Sequence, residues 1–301
     1  MPCGNPARLT KSGASSGWDA LPDAVRDAVH VHLGDVTVVR EVGEGQNCNL
    51  AVVVRGSSGD VFLKGVTGVS PRMRWLRNEA AAGELAPGIA PATKFSEDVE
   101  PDWLIVGSEF VEGRPADLSP DSADLGVISA TMAEIGSRPA GWAQPLSQRW
   151  ASSDWWEKLD RIEPDEVAGW DIAAMTQWSA LTPELLDGAA LLHTDLHEHQ
   201  FLINDAAGGV RVIDWGRPAA GAPWVDVAFL VIRLVAAGHA PAAAERWAET
   251  APTWSGTDKA VAAFACYVAG LWSYRGATSP FPGSSGLSAA ARVYARYRLT
   301  K

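Results

Sequence analysis

The hydrophobic period of this chain changes about a third of the way along, and that change restricts the folds open to it. Residues 36–40, 50–55 and 60–64 are short runs rich in Val and Phe, the composition that suits a pleated, half-buried surface. They are separated by Gly-Glu-Gly-Gln-Asn and by Gly-Ser-Ser-Gly-Asp, both turn sequences, so they predict an antiparallel meander. A helix is expected over 22–33, with Asp19 as its N-cap and Pro22 in its first turn, and another over 71–85 that starts at a proline. Residues 103–110 read as a further strand, and the Val-Glu-Gly-Arg-Pro that follows reads as a boundary. Beyond about residue 118 the helical period takes over, at 121–136, 152–161, 172–187, 224–238, 241–250, 257–275 and 287–299, with Ser288 positioned to cap the last. Two β-rich pieces, 201–204 and 210–214, interrupt this run and are joined by the turn Asp205-Ala-Ala-Gly-Gly. The expectation is an α+β chain: a polar, disordered tail over 1–17, an antiparallel sheet with helix over 18–110, and a mostly helical remainder over 111–301 with one embedded hairpin.

That hairpin is flanked by the chemistry. Residues 192–204 read Leu-His-Thr-Asp-Leu-His-Glu-His-Gln-Phe-Leu-Ile-Asn, and 212–216 read Val-Ile-Asp-Trp-Gly. Asp195 lies two residues after His193, Gln200 five after Asp195, and Asp214 nineteen after Asp195. Phosphoryl transfer needs one carboxylate beside the acceptor hydroxyl, and a separate carboxylate and amide to hold Mg²⁺ on the nucleotide phosphates. Asp195 is the candidate for the first role, with His193 bracing its loop. Asp214, at the end of an apolar run where isolated charge is costly, is the candidate metal ligand, with Gln200 as its partner. Asp226, in Trp-Val-Asp-Val-Ala, is placed either to anchor the loop through its backbone or to complement a helix dipole. His193, His197 and His199 also raise a rival reading, a transition-metal site, although the run leads into a β-segment and not along one helix face.

Upstream, Gly43 and Gly45 lie in a hairpin turn whose backbone N–H groups could cover phosphates. Lys64 ends Val-Phe-Leu-Lys on the third expected strand, where it could pair with α- and β-phosphates. Glu79, on the following helix, is the first choice to hold it, with Glu84 as the alternative. Glu109 to Val111 occupy the position at which a linker exposes backbone groups to a nucleotide base.

Taken together, Val-Phe-Leu-Lys64, the Glu79 helix, Ser-Glu-Phe-Val-Glu-Gly, His193-Thr-Asp-Leu-His, Val-Ile-Asp214-Trp-Gly and Trp-Val-Asp226-Val-Ala resemble the aminoglycoside phosphotransferase / choline kinase-like family, over residues 35–240 or so. The resemblance implies a bilobal protein-kinase-like fold and Mg²⁺-dependent transfer of the γ-phosphate of ATP or GTP to a small-molecule hydroxyl, with Asp195 catalytic and Asp214 the principal Mg²⁺ ligand. Two departures stand out. Thr194 occupies a place usually held by Gly, and Gln200 the place of a metal-binding Asn. The longer Gln arm motivates a second reading, a nucleotide-binding regulatory pseudokinase, and the His cluster a third, a metalloenzyme.

The net charge of −11 argues against nucleic-acid binding, which calls for a basic face. Seven acidic residues between Asp154 and Asp171, against Lys158 and Arg161, would suit an amine-bearing acceptor such as an aminoglycoside or an amino alcohol, and hence a role in antibiotic resistance. They would equally suit a solvated helix face. Three dispersed cysteines form no disulfide framework, and no apolar stretch reaches the roughly 18 residues needed to span a bilayer, so a cytoplasmic, membrane-free protein is expected.

Overall fold

The computed structural model describes residues 17–42, 47–206 and 208–301. The expected tail, apart from Gly17, and the turn glycines Gly43 and Gly45 lie outside the described residues. The chain divides into two compact units, one of residues 1–81 and 91–110 and the other of residues 82–90 and 111–301.

The first unit is a five-stranded antiparallel sheet with a helix against each face. Its elements are α1 (Asp23–Leu33), β1 (Thr37–Glu41), β2 (Leu50–Gly56), β3 (Gly59–Thr67), α2 (Pro71–Leu85), β4 (Thr93–Val99) and β5 (Trp103–Glu109), and the strand order is β1-β2-β3-β5-β4. Alternation sorts the side chains. Leu50, Val52, Val54, Val61, Leu63 and Ile105 bury one face against Val25, Val29 and Leu33, which recur every four residues along α1. On the other face Val66, Leu104 and Val106 pack with Leu76 of α2. Because β2 is covered on both sides, its first five residues are all buried, and this is why it reads as a continuous apolar run and not as an alternating one.

Three expectations need correction here. Asp19 does not cap α1: it lies in a separate 3₁₀ turn, Trp18–Ala20, and the N-cap is Pro22, with no side-chain bond. The strand β4 was not anticipated, since Thr-Lys-Phe-Ser-Glu-Asp-Val buries only Phe95 and is otherwise polar. The unit spanning 18–110 is interrupted, because Ala82, Leu85, Ala86, Ile89 and Ala90 bury their apolar side chains in the larger core of the second unit.

The second unit contains β6 (Arg114–Pro115), α3 (Asp124–Gly136), α4 (Leu146–Arg149), α5 (Trp155–Ile162), α6 (Ile172–Leu185), β7 (Ala190–Leu192), β8 (Phe201–Asn204), β9 (Gly209–Val212), β10 (Ala219–Gly221), α7 (Val225–Ala236), α8 (Pro241–Ala248), α9 (Asp258–Thr278) and α10 (Ser284–Leu299). At the centre α9 is buried along most of its length, by small residues such as Ala263, Ala265 and Ala269 as well as by Phe264 and Tyr267. Small side chains let neighbours come close: the Trp156 indole donates to the Cys266 carbonyl at 2.8 Å. α10 begins at Ser284, after Gly283 at φ 87°. Ser288 is therefore inside the helix and not its cap, and its hydroxyl donates to Ser284 O at 2.8 Å.

Two short ladders position the motif residues. β8 and β9 form the expected hairpin, with Phe201 opposite Val212 and Ile203 opposite Val210. β7 pairs antiparallel with β10, Leu192 opposite Ala219, and leads directly into His193. Neither three-residue strand was anticipated. Next to this pair, a Cβ at Gly188 would lie 2.6 Å from the backbone of Gly221, a separation that no side-chain rotation can relieve. Gly188→Ala is expected to lower the unfolding free energy by more than about 2 kcal/mol, read by urea denaturation. A change within error would mean that the β10 backbone moves aside freely.

Candidate active site

In the first unit, strand period 2 sends Lys64 to the same face of the sheet as Val66, the face covered by α2. There its ammonium donates to the Glu79 carboxylate at 2.7 Å, with both side chains largely buried. Glu84, one turn further along α2, is exposed. Glu109 closes β5. Its N–H donates to Ala92 O at 2.8 Å and its carboxylate accepts from Ala92 N at 3.1 Å, so this residue is tied to the neighbouring chain segment. Val111 is the first residue of the second unit's main segment and is half-buried.

The second unit assembles the motif loop around one carboxylate. Asp226, in the first turn of α7, is buried and accepts from the N–H of His193 at 2.6 Å and of Thr194 at 2.9 Å. Burial pushes its carboxyl above the ordinary value, while these N–H donors and the guanidinium of Arg149 pull the other way. His193, wholly buried, stands edge-on to Trp215 at 4.6 Å and reaches Ile213 O with Nε2 at 2.9 Å. A carbonyl can only accept, so Nε2 carries the proton, and Nδ1 faces Asp195 N at 3.4 Å. Asp195 itself is exposed at the tip.

Thr194 has φ 67°, a left-handed conformation that β-branched residues rarely adopt and that costs about 1–3 kcal/mol. This accounts for the glycine that the resembling family uses there. The threonine gains something in exchange: its hydroxyl donates to Arg217 O at 2.7 Å, and Arg149 bonds the same carbonyl at 3.1 Å.

Gln200 and Asp214 are drawn to the same place through Ile213. The Ile213 N–H donates to Gln200 O at 3.0 Å while Ile213 O receives His193. Asp214 follows, also left-handed at φ 63°. The side-chain oxygen Oε1 of Gln200 is buried and has no hydrogen-bond donor. Asn204, by contrast, serves the hairpin turn, accepting from Ala206 N at 3.1 Å.

The histidines do not converge on one point. His193 is committed to Ile213, and the His197 and His199 rings stand 5.7 Å apart at a steep angle. Among the described residues no group of three His, Cys, Asp or Glu side chains could hold a metal ion, so the transition-metal reading has no geometry behind it. Burial, assisted by Arg233, pushes His197 down to about 4.

The acidic segment 154–171 is surface. Glu157, Asp160, Glu163, Asp165, Glu166 and Asp171 are exposed. Asp154 pairs with Lys158 at 2.7 Å, Glu166 with Arg292 at 2.8 Å, and Asp171 caps α6 by accepting from Ala174 N at 2.9 Å. Two cations that were not anticipated, Arg233 of α7 and Arg275 of α9, feel the Asp195 carboxylate, and Arg233 feels that of Glu198 as well. One signal was available: Arg233 is the lone cation in Val-Asp-Val-Ala-Phe-Leu-Val-Ile-Arg-Leu-Val-Ala, seven residues after Asp226.

With this geometry in view, comparison with known proteins is informative. Residues 72–260 match the family model described as the phosphotransferase enzyme family, more than half of the chain. The chain belongs to the phosphotransferase enzyme family. A search of the curated proteins finds no match. Among solved structures, the chain is similar to a thermostable mutant of aminoglycoside phosphotransferase APH(4)-Ia in complex with ADP and hygromycin B, at 13% identity and TM-score 0.65, covering 91% of this chain and 98% of that one. It is also similar to an aminoglycoside phosphotransferase from Alicyclobacillus acidocaldarius, at 17% identity and TM-score 0.56, covering 91% and 93%. Choline kinase LicA from Streptococcus pneumoniae matches at 14% identity and TM-score 0.59, covering 91% and 98%. At these identities the likeness shows the fold, which is the bilobal protein-kinase-like one: an antiparallel sheet unit and a mostly helical unit. The protein is a phosphotransferase. No helix among the described residues is long and apolar enough to cross a membrane.

Three outcomes are expected of this phosphotransferase. Asp226→Ala leaves two buried N–H groups without acceptors and should cost about 3 kcal/mol, with loss of activity, by urea unfolding and kinetics. Thr194→Val keeps the strained backbone and discards the hydroxyl bond, so it should destabilise by about 1–2 kcal/mol more than Thr194→Gly. His197, with its folded pKa near 4 against 6.5, is neutral in the native state where the unfolded chain binds a proton. Its contribution is intact above pH 6.5 and declines as pH falls towards 4. His197→Gln should flatten that decline by on the order of 2 kcal/mol, measured by unfolding across this range.

Proposed function

We propose that this phosphotransferase moves the γ-phosphoryl group of ATP, or secondarily of GTP, to a hydroxyl of a small molecule with the help of Mg²⁺. One observation supports the reading most directly: the buried Gln200 oxygen that lacks a donor, on the residue whose backbone is bonded next to Asp214. A buried amide oxygen calls for a donor or a cation, and Mg²⁺ takes oxygen ligands. The residues fit the ion.

Asp214 and Gln200 would hold Mg²⁺, which when bound neutralises charge on the phosphate oxygens. In the first unit Lys64, fixed by Glu79, would bind phosphate oxygens, as would the backbone at Gly43 and Gly45. Backbone groups around Glu109 and Val111 would receive the base. Asp195 would accept a hydrogen bond from the acceptor hydroxyl and take its proton as the new O–P bond forms. The bond between the γ-phosphorus and its bridging oxygen breaks, and the electron pair leaves with the nucleoside diphosphate. His193 would keep Asp195 aimed, through Ile213 O and Trp215.

ATP as donor is supported by the ADP in the complex of the similar APH(4)-Ia structure. Hygromycin B in that complex and the choline kinase likeness make amine-bearing alcohols the first acceptors to screen. Turnover of an aminoglycoside would point to antibiotic resistance, and turnover of an amino alcohol to metabolism.

Calorimetry tests the reading. ATP should bind wild type more tightly with Mg²⁺ than without, and Asp214→Ala should erase that difference. Asp195→Ala should retain Mg²⁺-dependent binding while turnover falls by about 10²–10⁴-fold. Gln200→Asn separates a working metal ligand from a regulatory pseudokinase: unchanged or faster turnover supports catalysis, and binding of ATP indifferent to Mg²⁺ in wild type would sink the proposal.

A further inference from the structure

The register of the β7–β10 ladder carries on past its last backbone pair. Gly221 stands opposite Ala190, Ala220 opposite Leu191 and Ala219 opposite Leu192, which puts Thr194 opposite Arg217 two positions further on. Backbone N–H and C=O groups would continue such a ladder. The Thr194 N–H, however, is given to Asp226 at 2.9 Å, and at φ 67° the chain has left the extended conformation. The side chain takes over. Its hydroxyl donates at 2.7 Å to Arg217 O, on the residue across from it in register. From outside the ladder, Arg149 at the end of α4 donates to Arg217 O at 3.1 Å and to Pro218 O at 3.0 Å, so one guanidinium grips two consecutive carbonyls.

These bonds fall on either side of Asp214. Ile213 O, just before it, receives Nε2 of His193 at 2.9 Å, and Arg217 O, three residues after it, receives Thr194. Consecutive residues ahead of Asp195 thus hold the chain upstream and downstream of Asp214. Asp214 needs such holding: it is exposed and left-handed at φ 63°, and a strained non-glycine backbone persists only where its surroundings fix it. The downstream link from this loop requires a hydroxyl, which glycine, the usual residue at this place in the resembling family, cannot supply.

We infer that Thr194 is a positioning residue for the metal site. Its hydroxyl and the Arg149 fork, joined at Arg217 O, restrict the segment after Asp214 and with it the directions in which the Asp214 carboxylate can point. Mg²⁺ accepts little departure from octahedral order, and groups that orient a metal ligand govern affinity for the ion. The left-handed strain at Thr194 is then offset by a gain at the metal as well as by one hydrogen bond. The inference rests on the phosphotransferase site proposed above, with Asp214 as Mg²⁺ ligand.

The test measures AMP-PNP binding to the full chain by calorimetry, without and with Mg²⁺, and takes the ratio of the two dissociation constants. Thr194→Ser keeps the hydroxyl and should keep the wild-type ratio. Thr194→Val and Thr194→Gly lose it, and in each the ratio should fall about tenfold or to unity, with the Mg²⁺-free constant unchanged. Urea unfolding separates this from a structural effect, because the first of these variants retains the strained backbone and the second relieves it: stability should differ between them while the ratio does not. Arg149→Gln should also lower the ratio. Combined with Thr194→Gly it should do so by less than the product of the single effects, since both bonds act through one carbonyl. If Thr194→Val fails to fold, Thr194→Gly and Arg149→Gln still decide. A ratio that follows stability across the series, or single effects that multiply in the double variant, overturns the inference. AMP-PNP binding that ignores Mg²⁺ in wild type overturns the metal site and the inference with it, whereas a Mg²⁺-dependent wild type matched by Thr194→Gly overturns the positioning role alone.

Discussion

The buried carboxylate of Asp226 is the contact on which the second unit's chemistry depends. Two consecutive backbone N–H groups, those of His193 and Thr194, donate to the two oxygens of this side chain. Their capture fixes where the chain turns after β7. From that turn the rest follows by short links: His193 to Ile213, Ile213 to Gln200, and Thr194 to Arg217. Each link is a single hydrogen bond, worth about 1 kcal/mol alone. Together they tie the loop to the hairpin and to the segment after it, through bonds that are partly shielded from water.

Much of this was legible in the sequence, and the parts that were not have physical reasons. The Val-rich β2 and β3 and the hairpin Phe201–Asn204 with its partner announced themselves by composition and by the turns between them. β4 did not, since an edge strand solvated on most of its length has little apolar signal. β7 and β10 are too short to show a period at all. Ser288 looked like a cap because Ser at the start of an apolar run usually is one, but Gly283, free to adopt φ 87°, starts the helix earlier. Spacing along the chain leaves both Glu79 and Glu84 within reach of Lys64, and strand alternation with helix rise settles it in favour of Glu79.

Charge was the hardest feature to read in one dimension. Seven carboxylates crowded into residues 154–171 look like a wall, yet folding turns them outward and spends several on local partners such as Lys158, Arg292 and the α6 N-terminus. Arg233 and Arg275 are 42 positions apart, each alone in its surroundings, and only folding, with Arg233 stacked on Trp272, brings both within the electrostatic influence of Asp195. Proximity in sequence overstated the first group and hid the second.

The placement of α7 carries a consequence for how this protein would fail. The helix that supplies Asp226 is also among the most buried elements of its unit, with Val225, Val227, Ala228, Leu230, Val231 and Ile232 wholly inaccessible. The anchor of the loop is thus part of the core and not a surface attachment that could loosen first. Heating should therefore release the loop only as the second unit itself melts, with no form in which that unit stays folded while the loop has come loose.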